Sequence, residues 1–139
     1  MLSQYYDMGR QTLWNPSNGT SRLFMSRVRD WRAELGLPSG IGPMRADECR
    51  LDPVLFKAFA EALLARHRST GDDVTAGPPE DFVATVLVLA ERAGIEVTWP
   101  PDDGLAGDVR DPAAGASSEG AWAAALRRKS REAGRVMPA

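Results

Sequence analysis

The 139-residue sequence predicts an α+β fold: three helices on a small, mostly antiparallel sheet, followed by a linker and a basic C-terminal helix. Three observations lead there. Short runs of alternating or aromatic residues (4–14, 47–51, 95–99) are interleaved with three longer stretches of helical apolar period. Each of those stretches is bracketed by residues that start or stop helices, among them Gly36 and Pro38, Asp52 and Pro53, Pro78 and Pro79, and Gly94. After Trp99 the composition shifts to Asp, Gly, Ala and Pro without period, and a helical pattern resumes at Glu119. The expected organisation is a domain over 1–99, a flexible linker over 100–118 and a basic amphipathic helix over 119–139.

The first element holds Tyr5, Tyr6, Met8, Thr12, Leu13 and Trp14 and reads as a hairpin bent at Asp7-Met8-Gly9. Asn15-Pro16-Ser17-Asn18-Gly19 is a turn cluster, after which Thr20 or Asn18 is the expected cap of the first helix. Phe24, Val28, Trp31 and Leu35 fall on one stripe of that helix, and Gly36 suits the position after its end. Residues 39–45 form a loop, and 47–51 a short strand with Cys49 and Leu51 inward. Asp52 as cap and Pro53 at the first position open the second helix, which runs to about Arg68. Its stripe is Leu55/Phe56, Phe59/Ala60 and Leu63, with His67 at the end. Glu80 and Asp81 sit at the positive end of the third helix. Residues 82–90 are apolar nearly all round, so this helix is expected to be the most buried. Residues 95–99 alternate and are expected to form a strand stopped by Pro100 and Pro101. The core should centre on Phe24, Val28, Trp31, Leu35, Phe56, Phe59, Leu63, Phe82, Val86 and Leu89.

Composition excludes several classes. With 43% hydrophobic and 26% charged residues the chain is that of an ordinary soluble domain. A formal charge of −2 provides no global attraction to nucleic acid or an anionic membrane. One cysteine precludes an internal disulfide. No apolar run approaches bilayer length, and the first residues lack the pattern of a secretory leader, so the expected location is the cytoplasm. Basic charge is carried by arginine, with Lys57 and Lys129 the lone lysines, a bias typical of GC-rich bacterial genomes.

Reactive side chains are few and scattered. His67 is the single histidine, a candidate general base if a carboxylate orients it, but also a side chain suited to the negative end of a helix. Cys49 stands between Glu48 and Arg50, neighbours of opposite sign that give its thiol no net activation, so a buried structural role is expected. No spacing of His, Cys or carboxylates matches a metal site, and no phosphate loop or nucleophile elbow is present, so neither metal nor cofactor is expected. If the protein is an enzyme, the polar groups to test are His67, Asp47, Glu48, Tyr6 and Asp7, with Tyr5 beside them.

The C-terminal segment carries a different signal. From Glu119 onward five basic residues stand against two acidic ones. Trp122 and Leu126 share a helical face, with Arg127, Arg128 and Arg131 around it. Trp122 either docks on its own domain or anchors in a partner. These five residues are the expected partner-binding set.

The strings Leu13-Trp-Asn-Pro-Ser-Asn-Gly19 and Gly42-Pro-Met-Arg-Ala-Asp-Glu48, with Leu51-Asp52 and the helix that follows, resemble a group of small actinobacterial proteins of unknown function. The resemblance covers about residues 4–95 and leaves out the tail. It implies a single α+β unit of bacterial origin and no mechanism.

The sequence thus favours a non-catalytic interaction module of the immunity, antitoxin or accessory-subunit kind. A protein partner or homo-oligomer is expected; membrane association is not, nucleic acid is disfavoured, and a small-molecule ligand stays open. The alternative is a small cofactor-independent lyase, isomerase or cyclase of bacterial secondary metabolism, which needs only an apolar pocket and one or two shifted groups.

Overall fold

A computed structural model describes residues 3–70, 76–100 and 112–139, with side chains of the last helix from Gly120 onward. The element order is β1 (Tyr5–Met8), β2 (Gln11–Trp14), α1 (Asn18–Leu35), β3 (Glu48–Arg50), α2 (Pro53–Thr70), α3 (Glu80–Arg92) and α4 (Pro112–Val136).

The first two strands form the expected hairpin, turned at Gly9, whose φ of 61° belongs to the left-handed region. A bulge between Tyr6 and Asp7 shifts the register, pairing Tyr6 with Trp14 but Asp7 with Thr12. The sheet is mixed, in the order β2-β1-β3, because β3 runs parallel to β1 and sets Tyr6 beside Cys49. The expectation of a mostly antiparallel sheet is corrected on this point. The return from β2 to the far side of β1 passes through α1, a long crossover of the kind a parallel pair needs.

A tight turn positions β3. Arg45 and Glu48 exchange backbone hydrogen bonds of 2.8 and 3.0 Å. The two residues between them, Ala46 (φ 53°) and Asp47 (φ 65°), are both left-handed, the geometry of a type I′ turn.

The cap of α1 is Ser17, not Thr20 or Asn18: its Oγ accepts from the Thr20 amide at 3.3 Å. Gly36 ends the helix at φ 66°. Asp52 caps α2, its carboxylate accepting from the amides of Val54 and Leu55 at 3.0 and 3.1 Å. The buried face of α2 is rotated from the expected one: Leu55 is 40% exposed, and Leu64 is buried in its place. The third helix is buried from Phe82 to Ala90 except at Thr85.

Residues 95–99 are not a strand. Their backbone groups bond to side chains of α2: Lys57 Nζ donates to the Glu96 carbonyl, and the Thr98 amide donates to Glu61 Oε2 at 2.8 Å. With those groups engaged, the segment runs along α2 while Ile95 and Val97 turn toward the core. Lys57 and the Thr98 amide also hold the Glu61 carboxyl below its ordinary range.

One aromatic group ties the layers together. Tyr6, Trp14 and Phe24 meet pairwise at centroid distances of 4.9 to 5.7 Å, and Phe24 reaches Phe82 at 5.4 Å, so sheet, α1 and α3 share one core. Of the expected core residues, Trp31 and Leu35 lie at its partly exposed margin and the others are buried. Tyr6, Leu13, Trp14, Leu51, Leu64, Leu126 and Met137 join them.

The C-terminal helix begins at Pro112, inside the stretch expected to be linker, while residues 101–111 of that stretch lie outside the described residues. Proline at a first helical position and the alanines after it suit a helix start. The helix packs along α3. Leu126 is 1% exposed among Leu64, Val83 and Leu87. Further on, Arg92 clamps the chain end to β2 by donating to the carbonyls of Gly134 and Met137, both at 2.9 Å, and to that of Leu13 at 2.8 Å. The Asn15 amide donates to the Pro138 carbonyl at 2.7 Å.

Candidate functional site, a cleft between the third and fourth helices

Where α4 packs beside the end of α2 and residues 95–99, it builds an aromatic and cationic ladder. Trp122 Nε1 donates to His67 Nδ1 at 3.1 Å. The Trp122 ring meets Trp99 edge-on at 5.5 Å. The Arg127 guanidinium lies over Trp99 at 4.0 Å from the ring centroid, and that of Arg68 over Trp122 at 5.6 Å. Trp99, held by the extended 95–99 segment, thus stands between an indole edge and a stacked arginine.

Beside this ladder opens a cleft of about 320 Å³. Leu87, Ala90 and Glu91 of α3 form one side, Ile95, Val97 and Trp99 a second, and Arg127, Ser130 and Arg131 of α4 a third. Arg127 and Arg131 are one turn apart on the same face and exposed. Among the described residues neither is within salt-bridge distance of a carboxylate, although Glu91 lines the same cleft.

None of the expected acid–base residues lies in this cleft. Tyr6 is buried, its hydroxyl bonded to Ser21 Oγ at 2.7 Å, and burial pushes its phenol well above the ordinary value. Asp7 Oδ1 accepts from Thr12 across the hairpin at 2.8 Å, and Asp47 Oδ1 accepts from Gln4 at 3.3 Å. Tyr5 and Glu48 are paired neighbours on β1 and β3, both exposed. Register thus brings Tyr5, Tyr6, Asp7 and Glu48 together, with Asp47 next to them, whereas His67 sits at the end of α2 against Trp122.

Cys49 is buried, and burial with the nearby Asp7 carboxylate pushes its thiol up to about 12. A thiol so shifted stays protonated near neutrality and is a weak nucleophile. Burial lowers the His67 imidazole below its ordinary value, with Glu80 opposing in part, and its Nδ1 lone pair is engaged by Trp122. Among the described residues no group of three or more His, Cys, Asp or Glu is placed to hold a metal. No helix there is long and apolar enough to cross a membrane.

The expected partner-binding residues divide. Leu126 is inside the core and Trp122 is half-buried on its own domain, so neither is offered to a partner in this conformation. Arg127, Arg128 and Arg131 are exposed. Glu91, Ser130 and the role of Trp99 as a cleft wall escaped sequence reasoning, because the pairing of α3 with α4 has no local signal.

Fold and cleft together define an α+β unit whose C-terminal helix completes its core and frames a charged recess. Residues 2–139 match the model of a family of unknown function (DUF6086), and the chain belongs to that family. The match runs through α4, beyond the residues 4–95 that carry the resemblance visible in sequence motifs. No curated protein and no solved structure matches the chain.

Proposed function

We propose that this is a non-catalytic protein-interaction module of a bacterial cytoplasm, immunity-, antitoxin- or accessory-subunit-like, whose working surface is the outer face of α4. The observation that carries the reading is the division of labour on that helix. Its apolar stripe is engaged with α3, while Arg127, Arg128, Lys129, Arg131 and Arg135 all face solvent, and no carboxylate among the described residues neutralises them. A row of fixed cations on a rigid helix suits a partner with an acidic surface, because complementary charge speeds encounter and sets register. The rest of the molecule is acidic overall, which keeps the basic row distinct. The enzyme alternative draws less support: the buried phenol and thiol are shifted away from reactivity, and the cleft contains none of the acid–base candidates.

The test is purification of the full chain from its native host, intact and with Arg128→Glu and Arg135→Glu combined. That pair reverses charge on the outer face and leaves the cleft residues unchanged. The expected result is a stoichiometric protein partner that the double variant retains about tenfold less well, with binding that weakens as salt rises. A partner held equally by both forms, or a chain recovered alone that turns over a substrate, would overturn the reading.

A further inference from the structure

We infer that the cleft between α3 and α4 binds a small carboxylate with a flat apolar body. It is tested apart from the partner reading, since Arg127 and Arg131 line the recess while the partner variants change Arg128 and Arg135.

The argument begins with Arg127. Its guanidinium lies over Trp99 at 4.0 Å from the ring centroid, a contact that restrains the fork, and the residue is exposed. A stacked guanidinium loses little further freedom on accepting a carboxylate, so its hydrogen bonds are not offset by ordering a long side chain. Arg131 follows one turn later and lines the same recess. Two forked cations side by side match the planar, bidentate geometry of a carboxylate. Ser130, between them in sequence, is held by a 3.4 Å hydrogen bond to the Ala84 carbonyl and adds a polar edge.

The rest of the lining sets the other half of the ligand. Leu87, Ala90, Ile95, Val97 and the Trp99 ring give an apolar wall suited to a ring or short hydrocarbon. At about 320 Å³ the recess lies at the small end of ligand sites, which favours a compact molecule over an extended one. Glu91 adds charge selectivity. A carboxylate in the same recess penalises a second negative charge, so a monoanion is favoured over a phosphate dianion.

The probes are indole-3-acetate, its neutral amide indole-3-acetamide, and inorganic phosphate, each titrated into the full chain and followed by backbone amide and indole NMR. The expected result is saturable binding of the acid, with shifts concentrated at residues 87–99 and 127–131 and at the Trp99 indole. The amide should bind about tenfold more weakly, the loss expected for one charge-assisted contact. Phosphate should compete poorly. Arg127→Gln and Arg131→Gln should each weaken the acid about tenfold. Their exposed positions leave the dispersed spectrum of the folded chain unchanged. Equal binding of acid and amide, equal competition by phosphate, shifts mapping elsewhere, or no saturation by the acid would each overturn the inference.

Discussion

Single residues set the geometry of β3. Ala46 and Asp47 hold left-handed backbone in the turn that lays Cys49 beside Tyr6, and only the second has a side chain with some aptitude for that region. Ala46 therefore carries strain of about 1 kcal/mol or more. Replacing it by glycine should stabilise the protein by about 0.5–1 kcal/mol, the relieved strain exceeding the added chain entropy. Chemical denaturation compares the two forms, and a lower midpoint for Ala46→Gly would contradict the account. The same turn marks what sequence reading could reach. Cys49 and Leu51 were legible as inward by alternation, whereas the parallel pairing of β3 with β1 was not, because the partner lies some forty residues away and no short-range pattern encodes it. The cap at Ser17 was missed in favour of Thr20 or Asn18 for a related reason: all three have the chemistry, and backbone angles decide among them.

Among elements, α4 joins the others through contacts that respond to pH. His67 Nδ1 must be unprotonated to accept from Trp122. Its folded value lies below the ordinary 6.5 because burial penalises the cation. The unfolded chain therefore takes up the proton first as pH falls, and stability is lost progressively from about 6.5 down to the lowered folded value, then levels off. Glu80 opposes part of that lowering. His67→Gln offers a neutral acceptor that does not titrate, so its melting temperature should fall less than that of the native chain between about pH 7.5 and 5.5. Superimposable pH profiles would contradict the role given to this bond. The apolar stripe of α4 was visible in the sequence, and so was the choice between docking inward and anchoring a partner. The choice itself rests on Leu64, Val83 and Leu87, which surround Leu126 from two other helices. The start of α4 at Pro112 was hidden by Asp, Gly and Pro in the preceding stretch, which mask the alanines that favour helix.

At the scale of the molecule, the helix that resembles an appendage in sequence is a structural member of the domain. It covers α3, packs Leu126 among Leu64, Val83 and Leu87, and is tied down at its end by Arg92, which holds the carbonyls of Gly134 and Met137 together with that of Leu13 on β2. Only because it is fixed can its cations form a steady outer row and its Arg127 and Arg131 frame a recess. The family match over residues 2–139 agrees with a unit that includes the helix. The most direct test is native-state hydrogen exchange of the amides from Trp122 to Val136, compared with those of α3. The account predicts that the core-facing amides of α4 exchange nearly as slowly as those of Val86 to Leu89. Exchange of the whole helix at rates typical of an unfolded chain, while α3 stays protected, would contradict it.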